Sequence, residues 1–239
     1  MIMAVVNRWA MRWVFCSAVA ALVTGCGSSE KTAAPIAEKL PATPVQVAQP
    51  ADTRPVIATF GDSISAGFGV EPGKSYPEDL QRLIDKAGLK YRVLNLGVSG
   101  DTTTDGVERL SSVIVSHPEI VIVEFGGNDG LRGQPVSSSK SNLAAIIEGL
   151  QKAGSKVVLA GMTLPRNYGP EYIASFDGIF QELAKQYKVT LIPFILEGVG
   201  GNPALTQPDG IHPTAEGAQI VAENVMKYLK PLLQVRVTR

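Results

Sequence analysis

The chain is poor in the residues that would give it other kinds of chemistry. Only two of its 239 residues are cysteines, Cys16 and Cys26, and both lie near the N-terminus. The body that follows therefore has no disulfide and no thiolate chemistry. Histidine also occurs only twice, as His117 and His212. A zinc site would need mostly carboxylates, so no metal is expected. Neither sign of charge is in excess, with 22 Lys and Arg against 22 Asp and Glu. No basic run and no basic–aromatic interleaving is present, which argues against nucleic acid as a partner. The apolar run from Trp13 to Val23 falls well short of the ~20 residues a membrane-spanning helix needs.

That run has the form of a secretory signal. Arg8 and Arg12 flank an apolar centre. Leu22-Val23-Thr24-Gly25-Cys26 closes it and resembles a bacterial lipobox. Small residues at 24 and 25 admit a peptidase, and the Cys26 thiol is the expected lipidation site. The alternative is an ordinary signal with an incidental cysteine. Each buried methylene of an acyl chain contributes about 0.8 kcal/mol, so several chains would anchor the protein stably. Gly27 follows the cysteine, where retention in the inner membrane typically goes with aspartate. The expectation is a bacterial cell-envelope protein, lipid-anchored in the outer membrane and facing the periplasm. Residues 26–54 are rich in Ala, Pro, Ser, Thr and Lys and read as a flexible tether. The division expected is a signal at 1–25, the tether at 26–54, one domain at 55–233 and a tail at 234–239. Without residues 1–25, 20 basic residues face 22 acidic ones, a net charge of about −2.

From residue 55 onward apolar runs alternate with amphipathic stretches. Strands are predicted at 56–60, 91–96, 120–125, 156–160 and 190–193. Helices are predicted at 75–87, 104–115, 139–153, 171–187 and 214–233. The strand runs are apolar on consecutive positions and rich in Val and Ile, as in parallel strands covered on both faces. The pattern argues for an α/β sandwich with right-handed crossovers. Ligand sites in such sheets lie beyond the carboxyl ends of the strands. Gly61-Asp62-Ser63, Gly97-Val98-Ser99-Gly100-Asp101 and Gly126-Gly127-Asn128-Asp129-Gly130 all fall there, and Asp209-Gly210-Ile211-His212 precedes the last helix.

Four of these segments carry candidate chemistry. Ser63 follows the first strand, where a serine is more commonly a turn or cap residue. His212 can act as a base near neutrality, and Asp209, three residues before it, can hold its tautomer. Serine, histidine and aspartate are the minimum parts of an activated hydroxyl nucleophile. The Ser63 amide, the Gly100 amide and the Asn128 side chain are candidate donors to an oxyanion. Their alternatives are a turn glycine and an Asx-turn. His117 lies at the opposite end of the sheet and reads as structural. Asp62, Asp101 and Asp129 read as ligands of loop amides. Leu131 and Arg132, on a glycine-flanked loop after Asn128, could line or gate the site.

Ser63, Gly100, Asn128 and His212 stand in the order and contexts of the four blocks of the SGNH, or GDSL, hydrolases, which this chain resembles over residues 55–233. Ile64 replaces the usual leucine of the first block. Ser99-Gly100-Asp101-Thr102, Glu124 to Gly133 and Leu164 to Gly169 are similar to the periplasmic thioesterase/lysophospholipase and arylesterase branch of that family. The resemblance implies a flavodoxin-like three-layer α/β/α sandwich with a five-stranded parallel sheet. It implies Ser63 as nucleophile, His212 and Asp209 as the rest of a triad, Ser63, Gly100 and Asn128 as the oxyanion hole, and no cofactor. A small acyl-ester or lipid substrate and a monomer are expected. A polysaccharide O-acetyl esterase and a non-catalytic envelope lipoprotein are the alternatives.

Overall fold

Five short apolar runs pair side by side as parallel strands in this computed structural model, which describes residues 52–233. The expected signal, Cys26, nearly all of the tether and the 234–239 tail lie outside the described residues. The strands are β1 (Val56–Gly61), β2 (Arg92–Asn95), β3 (Ile120–Glu124), β4 (Lys156–Ala160) and β5 (Thr190–Ile192). Their order is β2-β1-β3-β4-β5, with β1 paired to both β2 and β3. All of β1 and β3 is buried, because helices cover both faces and leave no polar side to alternate with.

The helices are α1 (Ser63–Ala66), α2 (Tyr76–Lys86), α3 (Thr103–Val115), α4 (Gly127–Leu131), α5 (Val136–Lys152), α6 (Pro170–Tyr187) and α7 (Ala215–Leu229). Single 3₁₀ turns occur at Arg166–Tyr168 and Lys230–Leu232. The long helices bury one stripe each at three- and four-residue spacing. Tyr76, Leu80 and Ile84 do so on α2, Leu143, Ile146, Ile147 and Leu150 on α5, and Val221, Ala222, Val225 and Leu229 on α7. Burial of these stripes holds the layers. Truncating one wholly buried leucine such as Leu80 is worth about 2–5 kcal/mol. Helices α2 and α7 pack together as one layer, and α3, α5 and α6 as the other. The fold is therefore the three-layer α/β/α sandwich expected.

The sheet order places a switch point between β1 and β3, where chain connections run to opposite sides and open a crevice at the strand ends. Two elements at that crevice, α1 and α4, were not predicted. They are only four and five residues long, too short for a helical period to register. The turn at Arg166–Tyr168 was also not predicted. Helix α5 begins at Val136, earlier than predicted, since Pro135 caps it and the early polar turn hides its period. The predicted 214–233 helix ends at Leu229 and continues as the 3₁₀ turn with Pro231 inside it.

Candidate active site

The nucleophile candidate sits on a turn that a buried carboxyl holds from below. Ser63 is the first residue of α1, and the Asp62 side chain accepts from the Ile64 amide (3.1 Å) to start the helix. Gly67 ends it in a left-handed conformation (φ 76°), which glycine adopts without a side-chain clash. Glu124, at the end of β3, is fully buried. Its Oε2 accepts from the Asp62 amide (3.2 Å), the Ser65 amide (3.1 Å) and the Ser65 hydroxyl (2.7 Å). Gly61 makes room for this contact, since a Cβ there would lie 2.3 Å from Glu124 Oε2.

Burial, followed by the neighbouring Asp62 carboxylate, pushes the Glu124 acid well above the ordinary carboxylate range. Burial also raises Asp62, against the lowering pull of the Ile64 amide. Two carboxylates in one dry space cannot both ionise cheaply, so Glu124 keeps its proton. Glu124 Oε1 has no hydrogen-bond partner among the described residues.

His212 reaches Ser63 from the far end of the chain. The loop that carries it is closed by an isolated antiparallel bridge between Thr206 and Pro213, and by the Gln207 amide donating to the His212 carbonyl (2.7 Å). Inside this loop Asp209 Oδ1 accepts from the Ile211 amide (2.9 Å) and the His212 amide (3.0 Å). Its Oδ2 lies 2.7 Å from His212 Nδ1, and His212 Nε2 lies 2.8 Å from Ser63 Oγ. The carboxylate holds the ring proton on Nδ1, which leaves the Nε2 lone pair to accept from the Ser63 hydroxyl. Burial pushes the Asp209 carboxyl up, but the Ile211 amide and the His212 ring and amide outweigh it, so the group lies below its ordinary range. It is ionised at neutral pH.

The oxyanion-donor candidates are held in different ways, and of the three residues Ser63 and Asn128 line the crevice. The Ser63 and Gly100 amides donate to no protein acceptor among the described residues. The Asn128 amide nitrogen donates to the Asp101 carbonyl (2.9 Å) and to Asp62 Oδ2 (3.2 Å). Asp101 is fixed in turn by Arg109 (2.5 Å), whose two terminal nitrogens donate to the Leu96 and Gly61 carbonyls, each at 2.8 Å. The guanidinium also lies over the Phe60 ring at 4.6 Å. Arg109 thereby fastens the ends of β1 and β2 to the Gly100–Asp101 loop. Asp62 caps a backbone amide at the start of α1 rather than one in a loop. Asp101 instead pairs with Arg109, and Asp129 accepts from the Thr103 amide and hydroxyl and the Ser139 hydroxyl.

A cleft of about 430 Å³ opens beside these groups. Ser63, Asn128 and His212 line it, with Ile64, Leu131, Met162, Leu164, Phe194 and Leu196 as its apolar walls. Leu131 thus faces the cleft, whereas the Arg132 guanidinium donates to the Gly100 carbonyl (3.0 Å). Tyr168 holds this loop by donating to the Leu131 carbonyl (2.8 Å). His117 is exposed in the α3–β3 connection with φ 47°, at the other end of the sheet. Among the described residues no group of three or more His, Cys, Asp or Glu side chains could hold a metal ion. Sequence reasoning missed Gln207, Arg109, Phe68 and the role of Glu124, none of which carries a motif of its own.

Residues 59–220 match the GDSL-like Lipase/Acylhydrolase family. The chain is 43% identical over 178 residues to Esterase TesA of Pseudomonas aeruginosa, covering 74% of this chain and 89% of that one. It is 38% identical over 175 residues to the Thioesterase 1/protease 1/lysophospholipase L1 of Escherichia coli, covering 73% and 83% respectively. A crystal structure of TesA aligns with a TM-score of 0.73 at 42% identity, over 74% of this chain and 99% of that one. With a family match that spans the segments carrying Ser63, Gly100, Asn128 and His212, and relatives this similar over most of their length, the chain belongs to the GDSL-like lipase/acylhydrolase family and is a hydrolase acting on ester bonds.

Proposed function

We propose that the protein hydrolyses carboxyl esters and thioesters of apolar acyl groups through an acyl-enzyme on Ser63. The observation that carries this is the continuous path from Asp209 through His212 to Ser63 Oγ, at 2.7 and 2.8 Å, opening onto an apolar cleft. Ser63 gives its proton to His212 Nε2 as Oγ attacks the acyl carbon. The negative charge that develops on the carbonyl oxygen meets the free Ser63 and Gly100 amides. Asn128 joins them by giving up its longer bond, the one to Asp62. His212 then returns the proton to the leaving alkoxide or thiolate. A water molecule repeats the sequence in reverse, and the carboxylic acid leaves. Loss of one oxyanion donor typically costs about 2.7–4 kcal/mol of transition-state stabilisation.

The walls supplied by Ile64, Leu131, Met162, Leu164, Phe194 and Leu196 favour an acyl chain over a sugar, which would require hydrogen-bonding partners on its hydroxyls. The cleft volume is at the low end of the range for small-molecule sites, about 300–1,000 Å³. Aryl esters, acyl thioesters and lysophospholipids are the substrates proposed, the last two in keeping with the name of the Escherichia coli relative. A p-nitrophenyl ester series tests this. Preference for chains longer than acetate, abolished in Ser63→Ala with the fold intact, supports the reading. Wild-type rates in Ser63→Ala exclude it.

We also propose that Cys26 is lipidated and that the domain works as a monomer tethered to the outer membrane on its periplasmic side. The support is the Leu22 to Cys26 pattern and the composition of residues 27–54. A Cys26→Ser variant should leave the membrane fraction and retain its esterase rate on soluble esters.

A further inference from the structure

We propose that Gln207 is a positioning residue for ester hydrolysis, a side-chain clasp that ties the loop after the nucleophile to the turn carrying the base. The proposal rests on the reading of His212 as the base of Ser63. The Gln207 side-chain nitrogen has two N–H groups and spends both on carbonyls. One goes to Phe68 (2.7 Å) and the other to Pro213 (2.9 Å). Phe68 lies five residues after Ser63, and its amide donates to the Ser63 carbonyl (3.0 Å). Pro213 is bonded directly to His212. A hydrogen-bonded path therefore runs from the Ser63 backbone through Phe68 and Gln207 to the His212–Pro213 turn. It parallels the Ser63–His212 contact and joins segments 139 residues apart in the chain.

The Phe68 ring gives this path a chemical consequence. It lies against the imidazole, with centroids 4.6 Å apart and planes tilted by 44°. Yet it is 51% exposed, so burial alone does not fix it. Its carbonyl is what the clasp holds. The His212 ring then has Asp209 at Nδ1, Ser63 at Nε2 and an aromatic shield on one face. Without the clasp, the Phe68 carbonyl loses its partner and the Ser63–His212 contact is left as the hydrogen bond joining the two segments. Displacing reacting groups by about 1 Å can cost 10²-fold in rate.

The site also explains why glutamine stands there. Asparagine is one methylene shorter, and glutamate has no donor for two carbonyls. Gly69 leaves the room the amide needs, since a Cβ at that position would lie 2.1 Å from Gln207 Oε1. The loop itself does not depend on the side chain. The Gln207 backbone amide and the Thr206–Pro213 bridge close it in any case.

The test compares the full-length chain with Gln207→Ala and Gln207→Glu. It reads kcat and KM on p-nitrophenyl butyrate, the rate at which a fluorophosphonate labels Ser63, and the melting temperature. Both variants are expected to lose about 10- to 100-fold in kcat and in labelling rate, with KM within about threefold of the parent. If alanine leaves too little folded protein, Gln207→Met keeps the side-chain length and removes only the donors, and its kcat decides. A lowered melting temperature with kcat and labelling within twofold of the parent would make Gln207 a plain structural stitch and overturn the proposal. Failure of the parent to be labelled at Ser63 would overturn the nucleophile assignment itself, and the positioning role with it.

Discussion

Asp209→Asn is the most informative single change at this site. As Ser63 loses its proton, His212 becomes an imidazolium with Nδ1 2.7 Å from the Asp209 carboxylate. Charge centres about 4 Å apart attract by about 4 kcal/mol at the effective dielectric typical near a protein surface. The carboxylate side chain is 39% exposed and the imidazole 18%, so solvent screens part of this and about 2–3 kcal/mol remains. That corresponds to about 30- to 150-fold in kcat.

Asparagine does further harm through its orientation. The Ile211 and His212 amides both point at the Asp209 Oδ1 position, so the asparagine carbonyl must stay there and its NH₂ group must face Nδ1. An N–H facing Nδ1 forces the ring proton onto Nε2, where it blocks acceptance from Ser63. Enforcing the wrong tautomer in a serine triad costs about 10⁴-fold in all. The expected loss in kcat is thus between about 10² and 10⁴, with KM little changed. Asp209→Ala removes the charge without imposing a tautomer, so its kcat should be no lower than that of the asparagine variant. Steady-state kinetics on p-nitrophenyl butyrate, with circular dichroism melts as control, measure both. An asparagine variant within threefold of the parent, or an alanine variant clearly slower than it, would refute this account.

Glu124→Gln tests the buried carboxyl pair through its pH dependence. The folded state holds the Glu124 proton more tightly than the unfolded chain, where glutamate titrates near about 4.3. The associated stability is complete below that value and is lost as pH rises towards the raised folded value. Glutamine has no proton to lose, so its melting temperature should fall less than that of the parent between pH 5 and 9, and parallel profiles would contradict the assignment. Arg109→Lys cannot serve the Gly61, Leu96 and Asp101 acceptors together, and a destabilisation of about 2–3 kcal/mol is expected in denaturant melts; a loss under 0.5 kcal/mol would count against its fastening role. Leu131→Ala removes part of the cleft wall and should lower kcat/KM for octanoate by about fivefold while leaving acetate unaffected, whereas equal effects on both chains would exclude Leu131 from acyl binding.

The sandwich was legible because its strands are unbroken apolar runs and its long helices carry clear stripes. Elements α1 and α4 were illegible for a physical reason, since about one turn of helix has no period to register, and α1 is held instead by the Asp62 cap and by Glu124. Ser63, Asp209 and His212 could be picked out because few side chains can do their chemistry and each sits in a tight polar turn. Gln207 and Arg109 could not, because their partners lie up to 139 and 48 residues away and an amide or guanidinium among others in a sequence carries no mark of them. Glu124 was hidden differently. It ends an apolar strand, where only the packed interior reveals the burial and the neighbouring Asp62 carboxylate that raise its acid above the ordinary range.

The hydroxyl and the imidazole are separated by 149 positions of chain. All five strands precede the base in order of synthesis. Any fragment ending before the Asp209–His212 loop therefore holds every strand and the attacking group but lacks the means to deprotonate it. Premature termination or carboxyl-terminal clipping ahead of that loop yields a disarmed product, and one that has also lost α7 from its α2 layer.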